Sequence, residues 1–241
     1  MNFEPIGYVY SCFSQRFGVP RQAGVVPDAK GIIRLKNEQA FRDSLKSLEE
    51  FSHLWVIFVF HDLPGNPWKP RIRPPRLYDS RASDGSRKVG VLASRSPHRP
   101  NPIGLSAVKI ERIDIDAPEG PEIHVTGIDL QDHTPVLDIK PYIPYADSIP
   151  DANPGWSATK WAKLEVSWQD DPLKACQQAE AKHPGLQKLV EQTLASDPRP
   201  PYYNDRQMVF KTMILDYDVH WEVSPQENGP DRCLIVKWID L

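Results

Sequence analysis

Residues 93–108 read ASRSPHRPNPIGLSAV, with three prolines, two arginines and a histidine before the chain turns apolar. Each proline removes a backbone donor and fixes its own φ, so neither a helix nor a regular strand tolerates this middle. The stretch therefore predicts a stiff, positively charged loop between two strands. Such a loop holds its side chains with little freedom left to lose, which pre-organised contacts to a ligand require.

The chain around this loop is rich in strand-like segments. Alternating, apolar or β-branched runs predict strands over 5–13, 53–61, 88–94, 103–115, 122–130 and 158–168. A helix is predicted over 37–51, where Phe41, Leu45 and Leu48 have helical spacing and Asn37 is a suitable N-cap. Many strands with one early helix favour a mainly β fold with some α (α+β), either an antiparallel β structure or a barrel.

The sequence pattern changes after residue 168 from strand-like to helical, and we predict a domain boundary there. Residues 173–195 are expected to be helical, with Leu186 and Leu194 on the apolar face, and 216–223 with 233–241 to form a hairpin. The first domain is thus 1–168, and a smaller α+β domain covers 169–241. None of the 13 glycines forms a G-x-G pair, so the fold is predicted to be non-Rossmann.

The charge distribution is uneven although the net charge is only −3. Residues 69–99 hold nine Lys/Arg against two Asp, whereas 111–151 hold ten Asp/Glu against two basic residues. A basic block suits a polyanion such as nucleic acid. A solvated basic loop without a partner explains the charges equally well.

Composition restricts the cellular compartment in which the protein is expected. The longest apolar run, 54–60, is far shorter than the roughly 20 residues of a membrane span, and no signal peptide is predicted at the N-terminus. Three distant cysteines without a CxxC pair indicate reduced thiols in the cytoplasm and no cysteine-based metal site.

The proline loop carries the most concentrated chemistry in the chain. Arg95, His98, Arg99 and Asn101 offer donors for an adenosine, a carboxylate or a phosphate, and Gly104 would let the backbone approach a ligand closely. A rigid turn whose arginines merely cover neighbouring acids remains the alternative.

The loop sequence SRSPHRPNPIGLS resembles the hallmark of TrmO-type (TsaA-like) tRNA methyltransferases. Three further segments agree in order: PRQ at 20–22, FVFHD at 58–62 and DHTPVLDIKPYIPYAD at 132–147. The resemblance implies a homodimer with a small β-barrel core. It also implies an enzyme that uses S-adenosyl-L-methionine (SAM) to methylate N6 of threonylcarbamoyladenosine, next to the anticodon at position 37 of tRNA.

The resemblance also assigns residues, matched position by position. The implied SAM contacts are Pro20, Arg21, Gln22, His61, Asp62, Arg95, Leu105, Pro135, Val136, Leu137 and Asp138. One departure is His133, where the family more often has glycine.

Methylation of a urea-type N–H benefits from a general base. Asp138 is the first candidate, because it lies in an apolar run where its pKa could rise; an ion pair with Lys140 is the alternative. His61 and His98 are weaker candidates. The candidate tRNA contacts are Arg99, Lys140, Tyr142, Arg199 and Tyr202, with Tyr145 and Tyr203 as further stacking candidates.

Two other functions compete with this hypothesis. A non-catalytic RNA-binding β-barrel would use the same basic block. A metal-dependent phosphohydrolase is suggested by His61-Asp62 and Asp132-His133, but no paired ligand spacing supports it and we predict no metal.

Overall fold

The structure is a computed structural model that describes residues 2–63, 65, 68–73, 88–158, 163–199, 208–224 and 231–241. Its strands are β1 (Gly7–Ser11), β2 (Lys30–Leu35), β3 (His53–Val59), β4 (Arg71–Ile72), β5 (Val89–Gly90), β6 (Ile103–Asp114), β7 (Glu122–Thr126), β8 (Thr134–Pro141), β9 (Glu165–Trp168), β10 (Phe210–Ile214), β11 (Tyr217–Ser224) and β12 (Arg232–Asp240). Its α-helices are α1 (Gln39–Ser44), α2 (Pro144–Asp147), α3 (Asp170–Ala179) and α4 (Leu186–Ala195).

Six antiparallel strands close into a barrel in the order β1-β2-β7-β6-β3-β8, with β8 paired back to β1. Along each strand, every second side chain points into the barrel. The interior is filled by side chains that are at most 4% exposed, among them Val9, Ile33, Val56, Phe58 and Val136. Burying each such side chain stabilises the fold by about 1.5–3 kcal/mol. The closed strand order confirms the barrel predicted from the sequence.

A four-stranded sheet in the order β10-β11-β12-β9 forms the C-terminal part, with α3 and α4 against it. Strand β9 runs parallel to β12, although the sequence placed 158–168 with the barrel. The two parts share an aromatic contact: Phe17 of the loop after β1 stacks on Phe210 and Trp221, with ring centroids 6.3 and 6.4 Å apart.

Several predicted elements are shorter than expected, for local backbone reasons. The helix over 37–51 ends at Ser44, and Ser47 is left-handed with φ of 67° before a 3-10 turn. The helix over 173–195 is two helices, because Gly185 is left-handed with φ of 88°. The strand over 88–94 is reduced to β5, followed by a 3-10 turn.

Strands β2, β4, β8 and β10 were not predicted. Within the described residues, no helix has the length and apolarity to span a membrane.

Candidate functional site

A cleft of about 1380 Å³ opens at one end of the barrel, beside the C-terminal part. Its walls come from the loop after β1, the end of β3, the proline loop, the start of β6 and the segment after β7. Further wall residues precede β9 or lie in and just after α4. Eight sequence-predicted site residues line it: Pro20, Arg21, Gln22, His61, Asp62, Arg95, Arg99 and Leu105.

The proline loop is held by hydrogen bonds within itself. The Ser94 hydroxyl donates to the Val91 carbonyl at 2.8 Å, and the Arg99 guanidinium donates to the Ser94 carbonyl at 2.8 Å. The Phe60 amide, at the end of β3, donates to the Pro102 carbonyl at 2.8 Å. The loop is therefore a fixed wall of the cleft, as its prolines predicted.

Gly104 has a packing explanation that the sequence did not indicate. A Cβ atom at this position would lie 2.1 Å from Cζ of Phe58, its cross-strand partner inside the barrel. The expected close approach is thus to the Phe58 ring.

Polar groups of opposite sign line the cleft. Arg95 donates to Oε1 of Gln22 at 2.6 Å, which joins the proline loop to the PRQ segment. Asp62 lies 3.5 Å from Arg16 and its side chain is 47% exposed. The site therefore presents a cation for a carboxylate and an anion for a cationic group.

Arg21 joins the cleft to the C-terminal part. Its guanidinium donates to the Arg199 carbonyl at 2.6 Å and to the Asp197 carbonyl at 3.4 Å. These carbonyls follow the C-terminus of α4, where the helix dipole favours a cation.

Asp129 is a cleft residue that the sequence analysis missed. Its Oδ1 atom is buried and has no hydrogen-bond partner among the described residues. Burial raises the pKa of this carboxyl to about 6, against hydrogen bonds from the Ser106 hydroxyl and the Ala23 amide and the charge of Arg95. Its position between the apolar Ile128 and Leu130 is the same signal that drew attention to Asp138.

The segment 135–138 does not line the cleft of a single chain. Val136 is fully buried inside the barrel, whereas Asp138 points outward, because its cross-strand partner Ile57 lies between the inward Val56 and Phe58. The Asp138 carboxylate is 46% exposed and pairs with Lys140 at 2.8 Å. The ion pair left open as the alternative is therefore present, and the apolar run is an alternating strand.

The candidate tRNA contacts are scattered. Arg99 lines the cleft, and Tyr142 packs on Trp55 on the outer surface, with ring centroids 5.5 Å apart. Arg199 is only 3% exposed and binds Asp197 with two hydrogen bonds of 2.7 and 2.8 Å, which argues for a structural role instead of a tRNA contact. Tyr202 and Tyr203 lie outside the described residues.

His133 lies in a left-handed turn and makes two side-chain contacts there. It has φ of 59°, a conformation in which glycine is common. Its ring lies 5.2 Å from that of Tyr10, and its Nδ1 lies 2.7 Å from Asp132. Within the described ranges, no group of three or more His, Cys, Asp or Glu side chains could hold a metal ion.

Comparison with known proteins matches both parts of the chain to one family. The tRNA-methyltransferase O N-terminal domain matches residues 8–148, and the TrmO C-terminal domain matches residues 161–233.

Individual relatives are similar to this chain over nearly its whole length. The tRNA (adenine(37)-N6)-methyltransferase of Escherichia coli K12 is 37% identical over 225 residues, covering 92% of this chain and 93% of the relative. A protein of Pseudomonas aeruginosa named as a putative S-adenosylmethionine-dependent methyltransferase is 38% identical over 220 residues, with 90% of each chain covered. A crystal structure of TrmO from Pseudomonas aeruginosa matches with a TM-score of 0.73 at 31% identity, covering 99% of this chain and 98% of that one.

Proposed function

The chain belongs to the tRNA-methyltransferase O family, and from this premise we propose that it transfers a methyl group from SAM to N6 of adenine 37 in tRNA. The modified nucleoside that we propose as the substrate is threonylcarbamoyladenosine, and the proposed compartment is the cytoplasm. One observation carries the proposal: a single cleft gathers segments that are far apart in sequence, namely 20–22, 61–62, Arg95 and Leu105.

The residues of the cleft fit the proposed cofactor. When bound, SAM supplies a methyl group on a positively charged sulfur. Asp62 offers a carboxylate to the cationic groups, and Arg95 offers a guanidinium to the carboxylate. Phe58, Phe60 and Leu105 give apolar wall area for an adenine ring.

The rigid proline loop supports catalysis by positioning. Methyl transfer is an in-line displacement, so holding donor and acceptor in line supplies much of the acceleration. The loop hydrogen bonds fix Arg99 and Arg95 at the cleft before any ligand arrives. We propose that Arg99 contacts the threonyl carboxylate of the modified base.

We further propose a homodimer in which a second copy completes the site. Asp138, Ile57 and Leu105 lie in one row across β8, β3 and β6 on the outside of the barrel. Leu105 is 51% exposed and also lines the cleft, so this outer face is continuous with the cleft mouth. A copy docked on this face would bring its own segment 135–138 next to the cleft, which a single chain does not.

Mixed dimers test this arrangement. If Arg95 and Asp138 serve one site from different chains, an equal mixture of inactive Arg95→Ala and Asp138→Asn proteins, exchanged through mild denaturant, regains about a quarter of the wild-type sites. No recovery in a mixture shown to be dimeric would contradict the shared site. The same mixture kept without denaturant, in which subunits do not exchange, serves as the control and should stay inactive.

An RNA-binding barrel without catalysis is the second candidate, favoured by the exposed Lys69, Arg71, Arg73 and Lys88 of the basic block. Equilibrium dialysis with labelled SAM separates the two functions. Binding followed by methyl transfer to tRNA that persists in EDTA supports the enzyme. Absence of SAM binding at millimolar concentration would leave only the RNA-binding protein.

A further inference from the structure

Two carboxylates line the cleft in the part of the chain that the structure describes, Asp62 and Asp129. Asp62 is half exposed and faces Arg16, and the Gln131 amide donates to it at 3.4 Å. A solvated carboxylate beside a cation suits the holding of a positively charged group. Asp129 lies in the opposite environment, because its Oδ1 is buried and accepts no hydrogen bond from the described residues.

The surroundings of Asp129 hold the carboxylate without neutralising it. The hydroxyl of Ser106, itself buried inside the barrel, and the Ala23 amide donate to the carboxylate. The positive charge of Arg95 lowers the pKa of Asp129, but the Arg95 guanidinium also donates a hydrogen bond to Gln22. The other charged or titratable groups that line the cleft are Arg16, Arg21, His61, Asp62, Arg73, Arg99 and Lys163.

We propose that the Asp129 carboxylate accepts the N6 proton during methyl transfer, an inference that rests on the proposed function. As the bond between N6 and the methyl carbon forms, the bond from that carbon to sulfur breaks, and its electron pair stays on sulfur as a neutral thioether. The N6–H proton passes to Asp129, which returns it to solvent after the product leaves. Charge balances, since the sulfonium loses its positive charge and the carboxylate is neutralised.

The burial of Asp129 matches this role. A base works best when its pKa lies near the working pH, and burial raises the pKa of Asp129 to about 6. At pH 7 the carboxylate is therefore mainly ionised and able to take a proton. A carboxylate that only anchored the segment after β7 through Ser106 would not need to be ionised during turnover.

The test compares Asp129→Asn with wild type in single-turnover methyl transfer to tRNA, across pH 5 to 9. Asparagine keeps the size of the side chain and can accept hydrogen bonds, but it cannot take a proton. We expect the rate constant of Asp129→Asn to fall by about 10²–10⁴, while the SAM dissociation constant stays within about threefold. Asp116→Asn, in the exposed turn between β6 and β7, is the matched control and should keep the wild-type rate.

The pH profile separates Asp129 from His61, which also lines the cleft. Wild type should gain activity as pH rises through about 6, His61→Ala should keep this rise, and Asp129→Asn should lose it.

Two results would overturn the inference alone: a near-normal rate for Asp129→Asn, or loss of the rise in His61→Ala instead. Failure of wild type to methylate any tRNA would overturn the proposed function and this inference with it.

Discussion

At the scale of single residues, conformation and chemistry are balanced differently at neighbouring sites. His133 occupies the left-handed region with φ of 59°, which raises its conformational energy, while its contacts with Tyr10 and Asp132 lower it. Asp129, four residues earlier, keeps an unpaired buried oxygen that no described contact compensates. The contacts of His133 stabilise a turn. The buried oxygen of Asp129 destabilises the fold, and functional sites often retain such destabilising groups.

The turn at His133 leads to a prediction about stability. His133→Ala loses the ring contacts and keeps the left-handed penalty, whereas His133→Gly removes the penalty. We expect the glycine variant to be more stable than the alanine variant by about 1 kcal/mol, measured by urea unfolding. Lys174, inside α3, is the control position, where alanine should exceed glycine by a similar amount. Equal stability of the two His133 variants would show that the turn relaxes.

At the scale of elements, Arg199 after α4 separates a structural from a functional role. Removing it leaves Asp197, which is 8% exposed, without its bidentate partner. We expect Arg199→Ala to lower the free energy of unfolding by about 3–5 kcal/mol. Arg232→Ala, which breaks an exposed pair with Glu165, should cost well under about 1 kcal/mol. Unchanged stability with weakened tRNA binding for Arg199→Ala would restore the role first predicted.

The elements also show how far the sequence predicts this fold. Strands β3 and β6 and the terminal hairpin were predictable, because their own residues alternate or form β-rich runs. Strand β8 was not, since Pro135 and Asp138 interrupt the apolar pattern and its pairing with β1 and β3 decides the structure. The helix over 173–195 was predicted too long because one glycine in the left-handed region outweighs the helical periodicity around it.

At the scale of the whole molecule, the cleft depends on contacts between residues far apart in the chain. Arg21 reaches the carbonyls beyond α4, and Asp28 pairs with Lys188 of the same helix at 2.8 Å. Motif resemblance supplied seven of the residues that line the cleft, including Arg95 and Leu105. It did not supply Asp129, and only the folded chain shows that Asp138 faces away from the cleft.

We propose that this cleft directs a methyl group onto N6 of a modified adenine in tRNA. The most direct test is mass spectrometry of nucleosides after the purified chain and SAM act on two tRNA preparations, from cells that make threonylcarbamoyladenosine and from cells that cannot. We expect a gain of 14 Da, the mass of one added CH₂ unit, on that nucleoside in the first preparation and no methylation in the second. Methylation of both preparations, or of neither, would contradict the account.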